Sequence, residues 1–130
     1  LIWLSKPMAQ AALQHKLIGL FICFASLLGP THSQAEPESV RGGRELAHNY
    51  DYGNCLACHS APNDKLAVTL ANIGPPLMDM KRRFPSREVL FKQIWDARDT
   101  YPDTIMPPFG AHKILTEIQI HTIIDYLYTL

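Results

Sequence analysis

Beyond residue 85 the apolar positions fall into helical step. Over residues 86–96, SREVLFKQIWD, the side chains of Leu90, Phe91, Ile94 and Trp95 share one face, and Ser86 stands just after Pro85 where an N-cap is wanted. Residues 116–127 repeat the pattern with Ile120, Ile123, Ile124 and Leu127, and Thr116 with Gln119 three positions on spells a capping box. A shorter helix is predicted over residues 40–49, VRGGRELAHN, in spite of Gly42 and Gly43. Each glycine inside a helix costs about 1 kcal/mol against alanine, so the pair predicts close approach of another backbone or ring. Residues 60–77 and 98–110 are broken by prolines and carry no sustained period, and both read as loops. The chain shows no strand-hairpin signal, repeat or low-complexity tract. The pattern predicts an all-α domain of three to four short helices with long connections. Such loops in so small a domain need something to wrap around.

The amino end has a different character. Residues 17–29, LIGLFICFASLLG, form an apolar run behind Lys6, His15 and Lys16. The run is too short to span a bilayer, which takes about 20 residues. With Pro30 and then Ser33-Gln34-Ala35, it predicts a secretory signal peptide over residues 1–35, cleaved before Glu36. The mature chain, residues 36–130, is then one periplasmic domain with no membrane anchor. Removing Lys6 and Lys16 leaves 10 basic against 12 acidic residues, and 10 − 12 = −2 argues against nucleic acid as a partner. Cys23 is removed as well, so Cys55 and Cys58 become the only thiols, in a compartment where thiols are normally oxidised.

Their setting is GNCLACHSAP, residues 53–62, with His59 directly after the second thiol. A CxxCH string fits covalent haem attachment: two thiols add to the porphyrin vinyl groups and the adjacent imidazole reaches the iron. A structural zinc site would need two further ligands, yet no third mature cysteine exists and His48, His112 and His121 lack paired spacing. A redox CxxC normally rides on a strand-helix unit, which the pattern lacks. One haem c also supplies the apolar core that a loop-rich chain of this size is short of.

His59, as the proximal ligand, needs its other ring nitrogen hydrogen-bonded, and the acceptor is expected among the carbonyls of residues 73–77, IGPPL. Pro75 is placed against the cofactor in that stiff loop, Gly74 lets it come close, and Leu77 is expected to cover the haem face. For the sixth position the choices are Met78, Met80, Met106, His48, His112 and His121. Met106 lies in IMPPFG, 47 residues beyond His59, where flanking prolines reduce the entropy of presenting the thioether. It is the expected distal ligand, with His112 next; Met78 and Met80 are expected to be packing residues. Thioether ligation raises the reduction potential relative to a second imidazole, which suits an electron acceptor.

Taken in order, GNCLACH, NIGPPL, RFPSREVLFKQIWDA, MPPFG and LTEIQIHTIIDYLYTL resemble the SoxX family, the small monohaem cytochrome subunits of the periplasmic sulfur-oxidation complex SoxAX. The likeness spans nearly all of residues 40–130 and implies a class I cytochrome c fold. Residue by residue, it makes Cys55 and Cys58 the haem thioethers, His59 the proximal and Met106 the distal iron ligand. The segment between Gly43 and Cys55 is longer than in the general cytochrome pattern. The resemblance implies a SoxA-like partner, with which the chain would form an L-cysteine S-thiosulfotransferase acting on the carrier SoxYZ. It would pass electrons to a downstream acceptor such as another cytochrome c. No catalytic residue is expected in the chain itself, because both thiols are committed to haem. The alternative is a free soluble electron shuttle. A paired subunit should carry an apolar patch near the haem edge, and a shuttle a small polar one with a charged rim. Lys81, Arg82, Arg83 and Arg87 read as a solvated approach to a helix, the alternative being contact with the haem propionates or with an acidic partner surface.

Overall fold

A computed structural model describes residues 35–130. The leader expected before Glu36 lies outside the described residues. Helix α1, Glu38–His48, begins two positions earlier than the periodicity suggests. Pro37 is the reason: its carbonyl accepts from the amides of Val40 at 3.0 Å and Arg41 at 3.1 Å, and its ring pre-sets the entry. Glu38 in the first turn and His48 in the last complement the helix dipole. Val40, Gly43 and Ala47 form its buried face.

That face meets the helix Glu117–Leu127, which is the last of four among the described residues and is labelled α4. The Thr116 hydroxyl accepts from the Gln119 amide at 3.2 Å, and the Gln119 side chain accepts from the Thr116 amide at 2.8 Å, so the capping box is complete. Ile120, Ile123, Ile124 and Tyr126 are sealed from solvent. The α1–α4 crossing explains a glycine that helix propensity alone would reject. A Cβ on Gly43 would sink into the Thr122 carbonyl and stand 2.9 Å from the Tyr126 Cβ. The close approach expected from the glycine pair is therefore made at Gly43.

Between these two lie α2, Met80–Arg83, and α3, Arg87–Trp95. The one-turn α2 is too short to show a period and was not expected. Ser86 does sit at the N-cap of α3 with extended backbone, but its side chain makes no capping bond, a correction to the expected cap. Helix α3 packs on α4 through buried Leu90 and Ile94, and Phe91 stacks on both Trp95 and His121 at 5.5 and 4.8 Å between centroids. Arg87 bridges the pair, donating to Asp125 at 2.8 Å and to the His121 carbonyl at 3.1 Å. No strand occurs among the described residues.

The long loop after the CxxCH string is tied to the helix pair by one buried carboxylate. Asp64 accepts from the Tyr126 hydroxyl at 2.7 Å, from the Leu66 amide at 2.8 Å and from His48 Nε2 at 3.1 Å, with Arg44 Nε 3.4 Å away. Burial pushes its carboxyl upward, but those donors and cations outweigh burial and hold it below the ordinary carboxylate value. The same burial, with Asp64 opposite, pushes the Tyr126 phenol upward, so it remains a donor.

Candidate haem site

The CxxCH string folds as a 3-10 turn, Cys55–Ala57, entered through Asn54 at φ 42°. Asparagine is one of the few side chains that takes this left-handed conformation readily. The His59 amide donates to the Cys55 carbonyl at 2.9 Å, and Gly53 and Asn54 donate to the carbonyls of Leu46 and Asn49 at 3.1 and 3.0 Å, fastening the turn to α1. Cys55 and Cys58 are not bridged to each other, and both face one large cavity. Burial pushes the Cys55 thiol up to about 12. That burial holds Cys55 toward its neutral form, against thiolate exchange.

His59 lies between this turn and the IGPPL loop. Its Nδ1 donates to the Pro75 carbonyl across 2.6 Å. That bond fixes the tautomer and leaves the Nε2 lone pair unengaged. Gly74 is required here, because a Cβ would collide with the imidazole Cε1 and lie 2.8 Å from Nε2. The loop is clamped from three sides: Gly74 donates to the Cys58 carbonyl at 2.8 Å, Leu77 to that of Ser60 at 2.7 Å, and Arg83 Nη1 to that of Pro76 at 2.6 Å.

The cavity measures ≈ 640 Å³, within the range of cofactor sites. Cys55, Cys58, His59, Pro75, Leu77 and Met106, the six residues singled out from the sequence, all line it. Its remaining wall is mostly apolar, with Leu90 and Ile94 from α3 and Ile123 and Leu127 from α4. Met106 is half-buried, and its amide donates to the Thr104 hydroxyl at 3.2 Å in a local turn. His112 is exposed and does not line the cavity; His48 is engaged with Asp64 and His121 with Phe91. Among the described residues, the only imidazole or thioether groups on the wall are thus His59, Met80 and Met106. Met80 is buried, and its sulfur accepts from Arg83 at 3.5 Å. Met78, expected to pack, is instead exposed and lies off the wall. Arg82 pairs with Asp79 at 2.6 Å on the surface, whereas Arg83 lines the cavity and holds the proline loop, a role the solvated reading of the basic run missed.

Two unbridged thiols, one imidazole with an unengaged nitrogen, a thioether and an apolar wall are the donor set that fits a covalently attached haem. Four helices and long loops around such a cavity define a class I cytochrome c fold. The family model for cytochrome c matches residues 40–130, and the chain belongs to the cytochrome c family. Its cofactor is accordingly haem c, and its role is electron transfer. The fold is shared with a solved structure, the crystal structure of SoxXA from P. pantotrophus, at a TM-score of 0.62 and 23% identity, covering 73% of this chain and 83% of that one. An uncharacterized lipoprotein of Aquifex aeolicus (strain VF5) is 32% identical over 76 residues. The match takes in 58% of this chain and 36% of that protein, so the chain spans little more than a third of this curated relative's length.

Proposed function

We propose that this chain is the electron-accepting subunit of a SoxAX-type L-cysteine S-thiosulfotransferase, working with a SoxA-like subunit on a cysteine of a SoxYZ-like carrier. Cys55 and Cys58 would hold the haem through thioether bonds, and His59 Nε2 and Met106 Sδ are the groups that would ligate its iron, which would supply one-electron chemistry. The observation that carries the reading is the mouth of the cavity, where Tyr52, Ile73, Tyr101, Ile105 and Ile114 are all exposed. That apolar rim suits a permanently covered interface better than the charged rim of a diffusing shuttle. The motif resemblance and the SoxXA fold support the same reading.

Coupling a thiosulfate sulfur to a cysteine thiol forms one S–S bond, releases one proton and removes two electrons. The bound haem supplies one-electron chemistry, so a second redox centre in the partner or successive re-oxidation completes each turnover. This chain contributes no nucleophile; its residues hold and orient the acceptor. Turnover with an artificial electron acceptor tests the proposal, comparing this chain, the partner and the reconstituted pair. Coupling by the pair alone agrees, and substantial coupling by this chain alone contradicts it. Export follows from the leader: a periplasmic protein starting at Glu36 agrees, and one retaining the apolar run contradicts it.

A further inference from the structure

Met106 reaches the cavity wall from a loop that gives it little support of its own. Its amide donates to the Thr104 hydroxyl at 3.2 Å, and the next two residues, Pro107 and Pro108, have no amide to donate. The next fixed point is Gly110, and Trp95 is what fixes it. The Trp95 carbonyl stands at the end of α3, where no further helical turn uses it, and accepts from the amides of Gly110 at 3.1 Å and Ala111 at 3.2 Å. The Trp95 ring covers the same glycine. A Cβ on Gly110 would fall on ring atoms Cε3 and Cδ2 and stand 2.7 Å from Cζ3, so only glycine leaves room for the contact.

The ring is itself held from behind. Phe91, one turn earlier on α3, stacks on it, and Phe91 stacks in turn on His121 of α4. Past Gly110 the chain folds back toward α4, with the buried Phe109 offering its carbonyl to the amides of Ile114 and Leu115, both at 2.9 Å. Trp95 does not line the cavity, whereas its neighbour Ile94 does. Loss of the indole therefore leaves the cavity wall in place and removes the support under Gly110.

We infer that Trp95 is the positioning residue for the distal thioether. By docking Gly110 it fixes, through two prolines of set φ, the point at which Met106 enters the cavity. The inference rests on the reading of Met106 as the distal ligand. A ring that served packing alone would add stability and leave the iron's ligand untouched; a positioning ring changes the ligand.

The test uses the haem-loaded protein, with two readouts: the thioether-to-iron absorption of the oxidised form, and the affinity of added imidazole, which competes with the thioether. Trp95→Ala should weaken the absorption and bind imidazole about tenfold more tightly or better. Gly110→Ala, which drives a methyl group into the ring, should act in the same direction from the other side. Trp95→Phe, which keeps an aromatic face under the glycine, should stay near wild type. Gly43→Ala, strained at the α1–α4 crossing and off the cavity wall, should lose stability with both readouts unchanged. Unchanged absorption and imidazole affinity in Trp95→Ala overturn the inference, and so does an equal change in Gly43→Ala, which would make the effect one of stability. In the wild type, amide hydrogen exchange at Gly110 and Ala111 should be slow; exchange there at the rate of a free loop overturns the inference without any variant. A wild-type protein whose absorption is untouched by Met106→Ala overturns the ligand reading and the inference with it.

Discussion

Where α1 meets α4, side chain is packed on side chain: Val40 and Ala47 lie against a face that seals Ile120, Ile123 and Ile124, with no room for a methyl group at Gly43. The wall around His59 is built differently. There, loops are pinned to loops by single backbone bonds, as from Gly74 to Cys58 and Leu77 to Ser60, around a cavity of ≈ 640 Å³. The first region makes its own core. The second takes its core from the cofactor, so its order and its chemistry depend on the same few side chains.

The largest change should come at the wall. Met106→Ala is expected to abolish the thioether-to-iron absorption of the oxidised protein and lower the reduction potential, while Met78→Ala leaves both nearly unchanged. Loss of that feature in Met80→Ala with its retention in Met106→Ala would move the distal ligand to the other cavity-lining thioether.

At the crossing, neighbouring glycines should respond in opposite directions. Gly43→Ala drives a Cβ into the Thr122 carbonyl and should cost about 1–3 kcal/mol by chemical denaturation, the penalty of overpacking. Gly42→Ala meets only the Thr122 Cγ2 at 3.6 Å, an ordinary contact, and should gain up to about 1 kcal/mol from helix propensity. Equal effects would mean that the helices are not in backbone contact.

A smaller effect is expected where the two regions join. Tyr126→Phe removes the hydroxyl that donates to buried Asp64 and should cost about 1–2 kcal/mol at neutral pH. Because the native Asp64 carboxyl is held below its unfolded value, its contribution is present above roughly pH 4 and lost as pH falls through the depressed native value. The gap between wild type and variant should therefore narrow in acid, as followed by denaturation at stepped pH. The smallest effect is at Lys113, which holds a left-handed φ of 58° on the exposed turn before α4. Lys113→Gly should stabilise by less than about 1 kcal/mol, since the relief of strain is offset by a freer unfolded chain.

The same division governs what the sequence discloses. Helix α4 announces itself through the Thr116–Gln119 box and four apolar residues in step, because these are relations within one turn or two. Gly42 and Gly43 point to a close crossing without showing which of them makes it, since the partner, Thr122, is almost 80 residues away. The CxxCH string is legible for a chemical reason: attachment and ligation need adjacent residues. The hydrogen bond joining Asp64 to Tyr126 across 62 positions leaves no such trace, and neither does Arg83 reaching back to the Pro76 carbonyl. Met78 and Met80 are alike in sequence, yet a one-turn helix starting at Met80 buries one and leaves the other exposed. Leu90 and Ile94 read as core and are core, but the core they complete includes a haem.

The most direct test of the account is the mass of the protein after it has matured in a haem-attaching host and been denatured. Cys55 and Cys58 as thioethers predict the polypeptide plus one haem in a single species that survives unfolding, and the bare polypeptide when both are changed to serine. A cofactor released on unfolding, or one retained by the double-serine variant, would contradict the site described here.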